Sequence, residues 1–343
     1  MIQNNTLVYN MTKPLISIII PAKNAGVFIE KTLESIISQS LNGWELILIN
    51  DHSTDNTMDV ISMFVLEKRI KVIDNEGVGI VEALITGFKH CKGEFITRMD
   101  ADDLMVPNKL ELLLHALEKA PLTSVSTGLI KYFKEQAEIK DGYLKYEKWM
   151  NNNLLSDNPY HDIFKECVIP SPSWMVHRSV IEKLDGFKCL QYPEDYDLAF
   201  RFLEMGLAVS VVPEVIHLWR DHEKRASRTD EHYAENTFLP LKLDWLLKLK
   251  PNKRFYVIGA GKKGKKIAQY FIHNMVDFLW LTNNEKKLIV PIYDKTLQRL
   301  VIEETMPDVC WIVAVSNPEE QQEIIANFTA LDMQKGSDYL LFC

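Results

Sequence analysis

The chain has 343 residues, a formal net charge of −8 at pH 7, and 47% hydrophobic and 25% charged residues. These proportions are those of an ordinary soluble globular protein, and the length is sufficient for two domains. The excess of negative charge excludes nonspecific binding to nucleic acid as an expected function.

The chain carries five cysteines, and none of them stands at a metal-ligand spacing such as CxxC. This usage favours reduced thiols in a cytosolic protein. Residues 1–13 are polar and lack the basic start and apolar core of a signal peptide, so we expect a disordered tail there. No apolar run approaches the ~18 to 20 residues that span a bilayer. We therefore expect a cytoplasmic protein, and contact with the inner face of the membrane stays open.

Apolar runs of strand length alternate with helical segments in the first part of the chain. The first run, Leu15–Ile20, is continuously apolar and stops at Pro21, as expected for a strand buried on both faces. Further strands are predicted at 45–50, 70–73 and 94–99, and helices at 27–38, 55–66, 78–90 and 107–120. This alternation indicates a doubly wound α/β fold, with a mostly parallel sheet and helices on both faces.

Polar side chains follow each of these four strands. The clusters are Pro21-Ala22-Lys23-Asn24, Asn50-Asp51-His52-Ser53, Asp74-Asn75-Glu76-Gly77 and Asp100-Ala101-Asp102-Asp103. Each cluster alone is an ordinary loop, but ligands of parallel sheets bind beyond the carboxyl ends of the strands. The fold therefore predicts that the four clusters meet in one crevice.

The last cluster is strongly acidic, with the carboxylates of Asp100, Asp102 and Asp103 inside four residues. Such carboxylates repel one another, so a half-buried site tolerates them only with compensating cations. Alternation along a strand end places Asp100 and Asp102 on one side, where their oxygens suit Mg²⁺ or Mn²⁺ shared with a substrate phosphate. Arg98 is interpreted as a neutralising partner. The competing interpretation is a solvated turn that caps the helix near Pro107.

A second acidic pair, Glu194 and Asp195, precedes a helix predicted at 198–205. Backbone N–H groups at a helix start stabilise carboxylates, whereas the repulsion between adjacent carboxylates favours proton uptake. The pair therefore fits either a helix cap or a general base, and the residues alone leave both interpretations open.

These motifs resemble those of the family 2 glycosyltransferases, whose nucleotide-sugar-binding α/β domain is called GT-A. The resemblance covers residues 14–228 and is carried by Ile20-Pro21-Ala22-Lys23-Asn24, Asn50 to Thr57, Gly93-Glu94-Phe95, Arg98 to Asp103 and Glu194 to Leu198. It implies that Asp51 and the loop with Pro21 and Asn24 hold the nucleotide base. It also implies that Asp100, the first residue of the DxD motif, lies near the ribose and the metal. Asp102 would then ligate the Mn²⁺ or Mg²⁺ ion on the diphosphate.

The resemblance extends to two regions further along the chain. It implies that Asp195 is the general base for an acceptor hydroxyl, supported by Glu194, and that the anomeric centre is inverted. The segment with Arg220, His222 and Arg225 resembles the family's loop that closes over the diphosphate. The three arginines of this segment, Arg220, Arg225 and Arg228, would bind phosphate oxygens, and His222 would be a further metal ligand.

A second α/β pattern covers residues 251–343. An apolar strand is followed by Gly259-Ala260-Gly261-Lys262-Lys263-Gly264 and a helix at 265–272, which is the context of a phosphate-binding turn. The strand at 278–281 is followed by Thr282-Asn283-Asn284 instead of the acidic residue that a dinucleotide ribose needs. NAD-dependent chemistry is therefore disfavoured. We predict a small Rossmann-like module for structure or oligomerisation, with nucleotide or nucleotide-sugar sensing as the alternative.

Between the two patterns, the stretch 231–250 carries leucines and Trp245 among lysines. This composition predicts an amphipathic helix, which would pack between domains or lie on a membrane surface. The predicted organisation is a tail, a glycosyltransferase domain, a linker helix and a small module, at 1–13, 14–230, 231–250 and 251–343.

The residues and the resemblance together predict a metal-dependent, inverting glycosyltransferase. Its donor would be a nucleotide sugar, with UDP-sugars preferred, and its acceptor a glycan or lipid-linked glycan in bacterial surface polysaccharide synthesis. A homo-oligomer would form through the carboxyl-terminal module. A noncatalytic nucleotide-sugar sensor is an alternative of a different class. A sugar nucleotidyltransferase is another, although the loop from Pro21 to Gly26 is short and weakly basic for such an enzyme.

Overall fold

The computed structural model describes residues 14–135, 138–188, 193–223, 225, 228, 238–302 and 306–343. The chain forms two compact units. The first consists of Met1–Asp157, Ile169–Leu190 and Arg201–Asp230, and the second of Asn158–Val168, Gln191–Phe200 and Glu231–Cys343. The tail predicted for residues 1–13 lies outside the described part. The division into functional domains at 14–230 and 251–343 stays a prediction. The two compact units differ from it in that 158–168 and 191–200 are grouped with the second unit.

The first unit alternates strands and helices. Its strands are β1 (Ile16–Ala22), β2 (Trp44–Asn50), β3 (Ile70–Asp74), β4 (Phe95–Arg98), β5 (Leu104–Met105), β6 (Ser124–Phe133), β7 (Met175–His177) and β8 (Ala208–Arg220). Its helices are α1 (Ile29–Ile37), α2 (Thr57–Ser62), α3 (Ile80–His90), α4 (Lys109–Glu118), α5 (Asp141–Leu154) and α6 (Arg178–Lys183). The residues of α7 (Glu194–Glu204) belong partly to each unit. The strands and helices predicted between residues 15 and 120 are confirmed, with helix ends shifted by a few residues.

The described strands of the first unit form one eight-stranded sheet in the order β3-β2-β1-β4-β7-β6-β8-β5. β1 pairs in parallel with β2 and β4, and β2 pairs in parallel with β3. β7 runs antiparallel to β4 and β6, and β5 runs antiparallel to β8. The predicted mostly parallel α/β fold is confirmed. The antiparallel strands were missed, because segments as short as β5 and β7 carry no readable hydrophobic period.

The strands β1 and β2, which carry two of the polar loops, lie in the core of the first unit. Both strands are buried along most of their length, and Ile18 and Leu48 belong to the same cluster as Leu33 and Ile36 of α1. Strands covered on both faces are continuously apolar for this reason. Apart from Ser17 and Glu45 near the amino ends, the polar residues of these two strands and of the loops after them therefore lie at the carboxyl ends.

The second unit contains its own smaller sheet. Its strands are β9 (Arg254–Ile258), β10 (Phe278–Thr282), β11 (Gln298–Arg299), β12 (Val309–Val313) and β13 (Tyr339–Leu341), in the order β11-β10-β9-β12-β13. Its further helices are α8 (Leu239–Leu249), α9 (Lys262–His273), α10 (Glu285–Ile289) and α11 (Pro318–Ala330). All the strand pairs are parallel, and Trp311, Phe328 and Tyr339 lie in the core. The predicted second, smaller parallel sheet is confirmed.

The glycine motif between β9 and α9 is a tight turn. Gly259 has a φ of 102°, which favours glycine. A Cβ at Gly264 would lie 2.0 Å from the carbonyl oxygen of Gly259. Close packing of the strand on the helix alone therefore accounts for glycine at both positions.

The described part of the predicted linker 231–250 is the helix α8. Its apolar side chains, including Leu241, Leu243 and Trp245, are buried. Trp245 stacks on Phe200 of the same unit, with ring centroids 5.6 Å apart. Packing within the second unit therefore accounts for this apolar face. Among the described residues, every helix is too short or too polar to cross a membrane.

Candidate active site

The loops after β1 and β2 are joined by hydrogen bonds. Asn24 and His52 adopt left-handed backbone conformations, with φ of 52° and 55°. Thr54 N donates to Asn24 Oδ1 at 2.8 Å, and Asn24 N donates to Ser53 Oγ at 3.1 Å. Asn tolerates this backbone region because its short side chain can bond to nearby backbone groups. Asn24 is thereby fixed at the carboxyl end of β1, as the sequence predicts.

Pro21 lies inside β1 and not in the loop after it, which corrects the predicted strand end. It is opposite Ile49 of β2, and β1 continues to Ala22. Met99 N donates to Ile19 O, whereas Asp51 N donates to Ala22 O, so the backbone of Pro21 faces the β4 side. The strand β4 has already ended there, so the missing N–H of proline costs no ladder hydrogen bond.

Asp51 is a buried carboxylate that connects the loops after β1, β2 and β3. Its Oδ1 accepts from Asn75 Nδ2 at 2.7 Å and from Gly79 N at 3.0 Å, and Lys23 Nζ lies 3.5 Å from its Oδ2. Burial would raise the pKa of Asp51, but the hydrogen bonds from Asn75 and Gly79 and the charge of Lys23 bring it below its ordinary value. Asp51 is therefore a stable anion.

Asp102 and His222 are in direct contact. His222 Nε2 lies 2.8 Å from Asp102 Oδ2, although the residues are 120 positions apart. The antiparallel pairing of β5 with β8, in which Leu104 is opposite Leu218, brings them together. The His222 ring lies on Phe28, with centroids 4.3 Å apart. An imidazole nitrogen and a carboxylate oxygen are both ligands of divalent transition metals.

Asp100 is held by a different partner. Arg98 NH2 donates to Asp100 Oδ1 at 2.8 Å, which confirms the interpretation of Arg98 as a neutralising cation. Among the described residues, no three His, Cys, Asp or Glu side chains are grouped as a complete metal site. Asp102 and His222 nevertheless fit two positions of an ion whose other positions would be filled by phosphate oxygens and water.

Arg220 lies beside the Asp102–His222 pair. Its backbone N donates to Asp103 Oδ1 at 2.8 Å, and its Nε donates to the carbonyl oxygen of Asp102 at 2.5 Å. Its guanidinium carbon lies 4.7 Å from the Phe133 ring centroid. These contacts hold a guanidinium next to the two candidate metal ligands, where it is placed to bind an anion.

Two cations of this region share one carboxylate. Glu135 Oε1 accepts from Lys31 Nζ at 2.8 Å and also from Arg220 NH1. Burial is minor here, and the hydrogen bonds from Lys31 and Arg220 lower the pKa of Glu135 below its ordinary value. Glu135 is therefore an anion of the protein itself that binds two cations, and a phosphate could bind the same two cations in its place. Sequence reasoning missed it because its position depends on where β6 ends.

Arg225, the second predicted phosphate partner, lies against aromatic rings. Its guanidinium carbon is 4.7 Å from the Trp219 ring centroid and 5.3 Å from that of Tyr132. Burial would lower the pKa of Arg225, but Tyr132 and the carboxylates Asp103 and Asp102 raise it above its ordinary value. Arg225 thus supplies a permanent positive charge that offsets the acidic cluster.

The loop of the DxD motif is held from α1. Thr32 Oγ1 donates to the carbonyl oxygen of Asp103 at 2.8 Å and lies 3.1 Å from that of Ala101. Thr32 is not among the site residues predicted from the sequence. The available signal was a threonine on the otherwise apolar, buried side of α1, where it sits between Ile29 and Ile36.

Glu194 and Asp195 form the first turn of α7, which corrects the predicted helix start at Leu198. Asp197 N donates to the carbonyl oxygen of Pro193, so the helix begins directly after this proline. Acidic residues are favourable in a first turn because the backbone N–H groups there carry partial positive charge. Glu194 is buried and Asp195 is half-buried.

The turn that carries this acidic pair is anchored within the second unit. Tyr196 is fully buried, stacks on Phe200 and donates its hydroxyl proton to the carbonyl oxygen of Ile163. Trp245 Nε1 donates to Asp197 Oδ1 at 3.0 Å. Asp197 therefore has a structural partner on α8.

The fold is shared with a solved protein fragment. Residues 1–349 of S. aureus TarS, crystallised with UDP-GlcNAc, match with a TM-score of 0.52 and 19% identity, over 68% of this chain and 66% of that chain. Such identity shows the fold alone. The fold and the strand-end site define the class as α/β proteins of the GT-A type, as predicted.

Sequence comparisons then give the family. The model described as Glycosyl transferase family 2 matches residues 17–185. An uncharacterized glycosyltransferase of Haemophilus influenzae is 30% identical over 241 residues, covering 67% of this chain and 72% of that protein. Chondroitin synthase of Pasteurella multocida is 28% identical over 195 residues, covering 56% of this chain and 19% of that protein. The chain belongs to glycosyltransferase family 2, and it is therefore an enzyme that transfers a sugar.

Proposed function

We propose that the protein is a metal-dependent, inverting glycosyltransferase that uses a UDP-sugar. The observation that supports this most strongly is the contact of Asp102 with His222 beside the guanidinium of Arg220. A carboxylate and an imidazole suit a divalent cation, and a guanidinium suits the phosphates that the cation would share. The UDP-GlcNAc complex of TarS supports a uridine nucleotide as the donor carrier.

In this proposal, Asp102 and His222 hold Mn²⁺ or Mg²⁺. Asp100 lies near the metal and is paired with Arg98. A bound divalent ion would stabilise the negative charge that develops on the departing diphosphate. Arg220 binds a phosphate oxygen after it releases Glu135.

The remaining donor-binding roles follow from charge and position. Arg225 adds a fixed positive charge to the phosphate-binding side. Asp51 accepts a hydrogen bond from the nucleotide base, since its carboxylate is anionic in this environment. Pro21 and Asn24 line the base from the end of β1.

Asp195 is proposed as the general base, supported by Glu194. The acceptor hydroxyl oxygen attacks the anomeric carbon while its proton passes to the Asp195 carboxylate. The bond from the anomeric carbon to the diphosphate oxygen breaks, and its electron pair leaves with UDP. Attack from the side opposite to the leaving group inverts the anomeric centre.

We further propose a glycan or lipid-linked glycan acceptor in bacterial surface polysaccharide synthesis. The similarity to a protein named chondroitin synthase supports a polysaccharide product. Work on the cytoplasmic side, peripheral contact with the membrane and self-association through 251–343 belong to the same proposal.

The test of the proposed base is the release of UDP from UDP-GlcNAc, UDP-glucose and UDP-galactose with MnCl₂ and a panel of glycan acceptors. Without the carboxylate base, we expect Asp195→Asn to lose 10²- to 10⁴-fold in transfer rate while it still binds UDP. Asp59→Asn, at an exposed position of α2, is the matched control and should retain the wild-type rate. Full transfer by the Asp195 variant would remove the proposed base. UDP-sugar binding without turnover in the wild type would favour the sensor alternative.

A further inference from the structure

A fully buried lysine lies directly behind the acidic loop. Lys109 is the first residue of α4, and none of its surface is exposed. Its Nζ donates to the carbonyl oxygen of Pro172 at 2.6 Å and lies 3.1 Å from His217 Nδ1. Burial lowers the pKa of Lys109 to about 7. A buried amine is costly unless its hydrogen bonds are made, so these two partners matter for its placement.

His217 contacts both Lys109 and Asp103 through its two ring nitrogens. It lies on β8, is fully buried, and its Nε2 is 2.9 Å from Asp103 Oδ2. Burial and the charge of Lys109 hold the pKa of His217 well below its ordinary value, so the ring is neutral. When the Lys109 amine donates to Nδ1, the single proton of the neutral ring is on Nε2, which faces Asp103.

Asp103 connects this chain of contacts to the candidate active site. Its second oxygen, Oδ1, accepts from Arg220 N, and Asp102 precedes it in the same loop. The carbonyl oxygen of Asp102 accepts from Arg220 Nε. A shift of the Asp103 carboxylate would therefore move both the Asp102 loop and the end of β8, which His222 follows by two residues.

We propose that Lys109 and His217 are positioning residues: they fix the Asp103 carboxylate and, through it, the orientation of Asp102 and Arg220 toward a metal-bound diphosphate. This inference rests on the proposed function. Apolar side chains of similar volume would fill the same space without the desolvation free energy that a buried lysine and histidine cost. Packing alone therefore does not account for these two residue types. Groups that orient metal ligands affect metal affinity or activity by about 10- to 100-fold.

The test compares His217→Gln with His217→Asn in the full-length protein. The Gln amide reaches Asp103 in place of Nε2, whereas the shorter Asn amide does not. We expect the Asn variant and Lys109→Met to bind UDP about 10- to 100-fold more weakly in MnCl₂ and to need more Mn²⁺ for half-maximal UDP release from UDP-GlcNAc. His217→Gln should recover most of both. Lys119→Met, at an exposed position just beyond α4, is the control and should match the wild type.

Thermal unfolding separates orientation from stability. If the folded Gln and Asn variants have equal Mn²⁺ requirements and UDP affinities, the inference is overturned, because a structural role alone lowers the unfolding temperature. If Lys109→Met does not fold, the Gln and Asn pair still decides. Wild-type binding of UDP with Mn²⁺ but without turnover would count against the proposed donors and acceptors alone, and variant affinities would still decide this inference. A wild type without Mn²⁺-dependent UDP binding would overturn both.

Discussion

The guanidinium of Arg220 is paired with a carboxylate of its own chain. Glu135 accepts hydrogen bonds from both Arg220 and Lys31, at cations that the proposed diphosphate would use. The donor must therefore displace Glu135, and part of its binding free energy is lost in doing so. Arg220 is buried, but the Lys31–Glu135 pair is exposed, and an exposed ion pair contributes roughly 0.2–1 kcal/mol.

Removing this internal competitor should strengthen nucleotide binding. We expect Glu135→Gln to bind UDP in MnCl₂ about 2- to 5-fold more tightly by calorimetry, which corresponds to the energy of an exposed pair. Glu30→Gln, an exposed position on α1 beside Lys31, controls for the general change in charge. Weaker or unchanged binding in the Glu135 variant would show that it does not compete with phosphate.

At the scale of single residues, the sequence carried the chemistry of the site but not its contacts. Asp102 and His222 were both predicted as metal ligands, yet their contact depends on the pairing of β5 with β8, and β5 has two residues. Lys109 and His217 gave no signal, because a lysine and a histidine in amphipathic segments are ordinarily exposed. Their burial is a tertiary property.

The strands β1 and β2 are joined at their amino ends by a buried carboxylate. Glu45 on β2 accepts from Ser17 Oγ at 2.8 Å, from Lys92 N at 2.5 Å and from Lys71 Nζ at 2.6 Å. A Cβ at Gly93 would lie 2.4 Å from Ser17 N. Close packing at this edge therefore accounts for the glycine of the Gly93-Glu94-Phe95 motif, at the sheet end opposite to the candidate active site.

This carboxylate makes the stability of the sheet depend on pH. Burial would raise the pKa of Glu45, but the hydrogen bonds from Lys71, Ser17 and Lys92 lower it below its ordinary value. A lowered pKa in the folded state stabilises the protein above the unfolded value of about 4.3, and this contribution is lost as the pH falls below it.

We expect Glu45→Gln to lower the free energy of unfolding by about 2 kcal/mol at pH 7, because charge-assisted hydrogen bonds are lost. The difference from the wild type should shrink as the pH falls from about 5 toward 3, where the wild-type carboxyl is protonated. Urea unfolding at several pH values measures this. A difference that is constant with pH would contradict the role of the Glu45 charge.

At the scale of secondary-structure elements, the long buried strands and amphipathic helices were predictable from hydrophobic period. The start of α7 was predicted too late, because acidic residues are favourable both as a cap just before a helix and inside its first turn, and the sequence does not distinguish the two. Pro21 was taken as a strand end, because the absence of a partner strand on its β4 side cannot be read from sequence.

The second unit is built from distant segments of the chain. Phe164 stacks on Phe342 with ring centroids 5.5 Å apart, and Lys335 Nζ lies 3.1 Å from Asp162 Oδ2. The acidic turn of α7 belongs to the same unit. The sequence predicted a module confined to 251–343, because a pattern along the chain cannot show which earlier segments join a later sheet.

This arrangement couples the carboxyl-terminal residues to segments inserted from the middle of the chain. Phe342 is fully buried, so we expect Phe342→Ala to lower the free energy of unfolding by about 3–5 kcal/mol. Amide hydrogen exchange over 158–168 should become faster. Ile289→Ala, at a position that is 80% exposed, is the control and should change neither. Unchanged exchange over 158–168 would show that these segments do not depend on the carboxyl-terminal strand.

The proposed reaction of the whole molecule depends on Asp102 and His222 holding a cation against a nucleotide diphosphate. Electron paramagnetic resonance of Mn²⁺, titrated with and without UDP, measures this most directly. We expect UDP to make the wild type retain Mn²⁺, Asp102→Ala to abolish this retention, and His222→Ala to weaken it by at least 10-fold, because each variant removes a proposed ligand. Equal retention of Mn²⁺ with UDP in the wild type and the Asp102 variant would contradict the account.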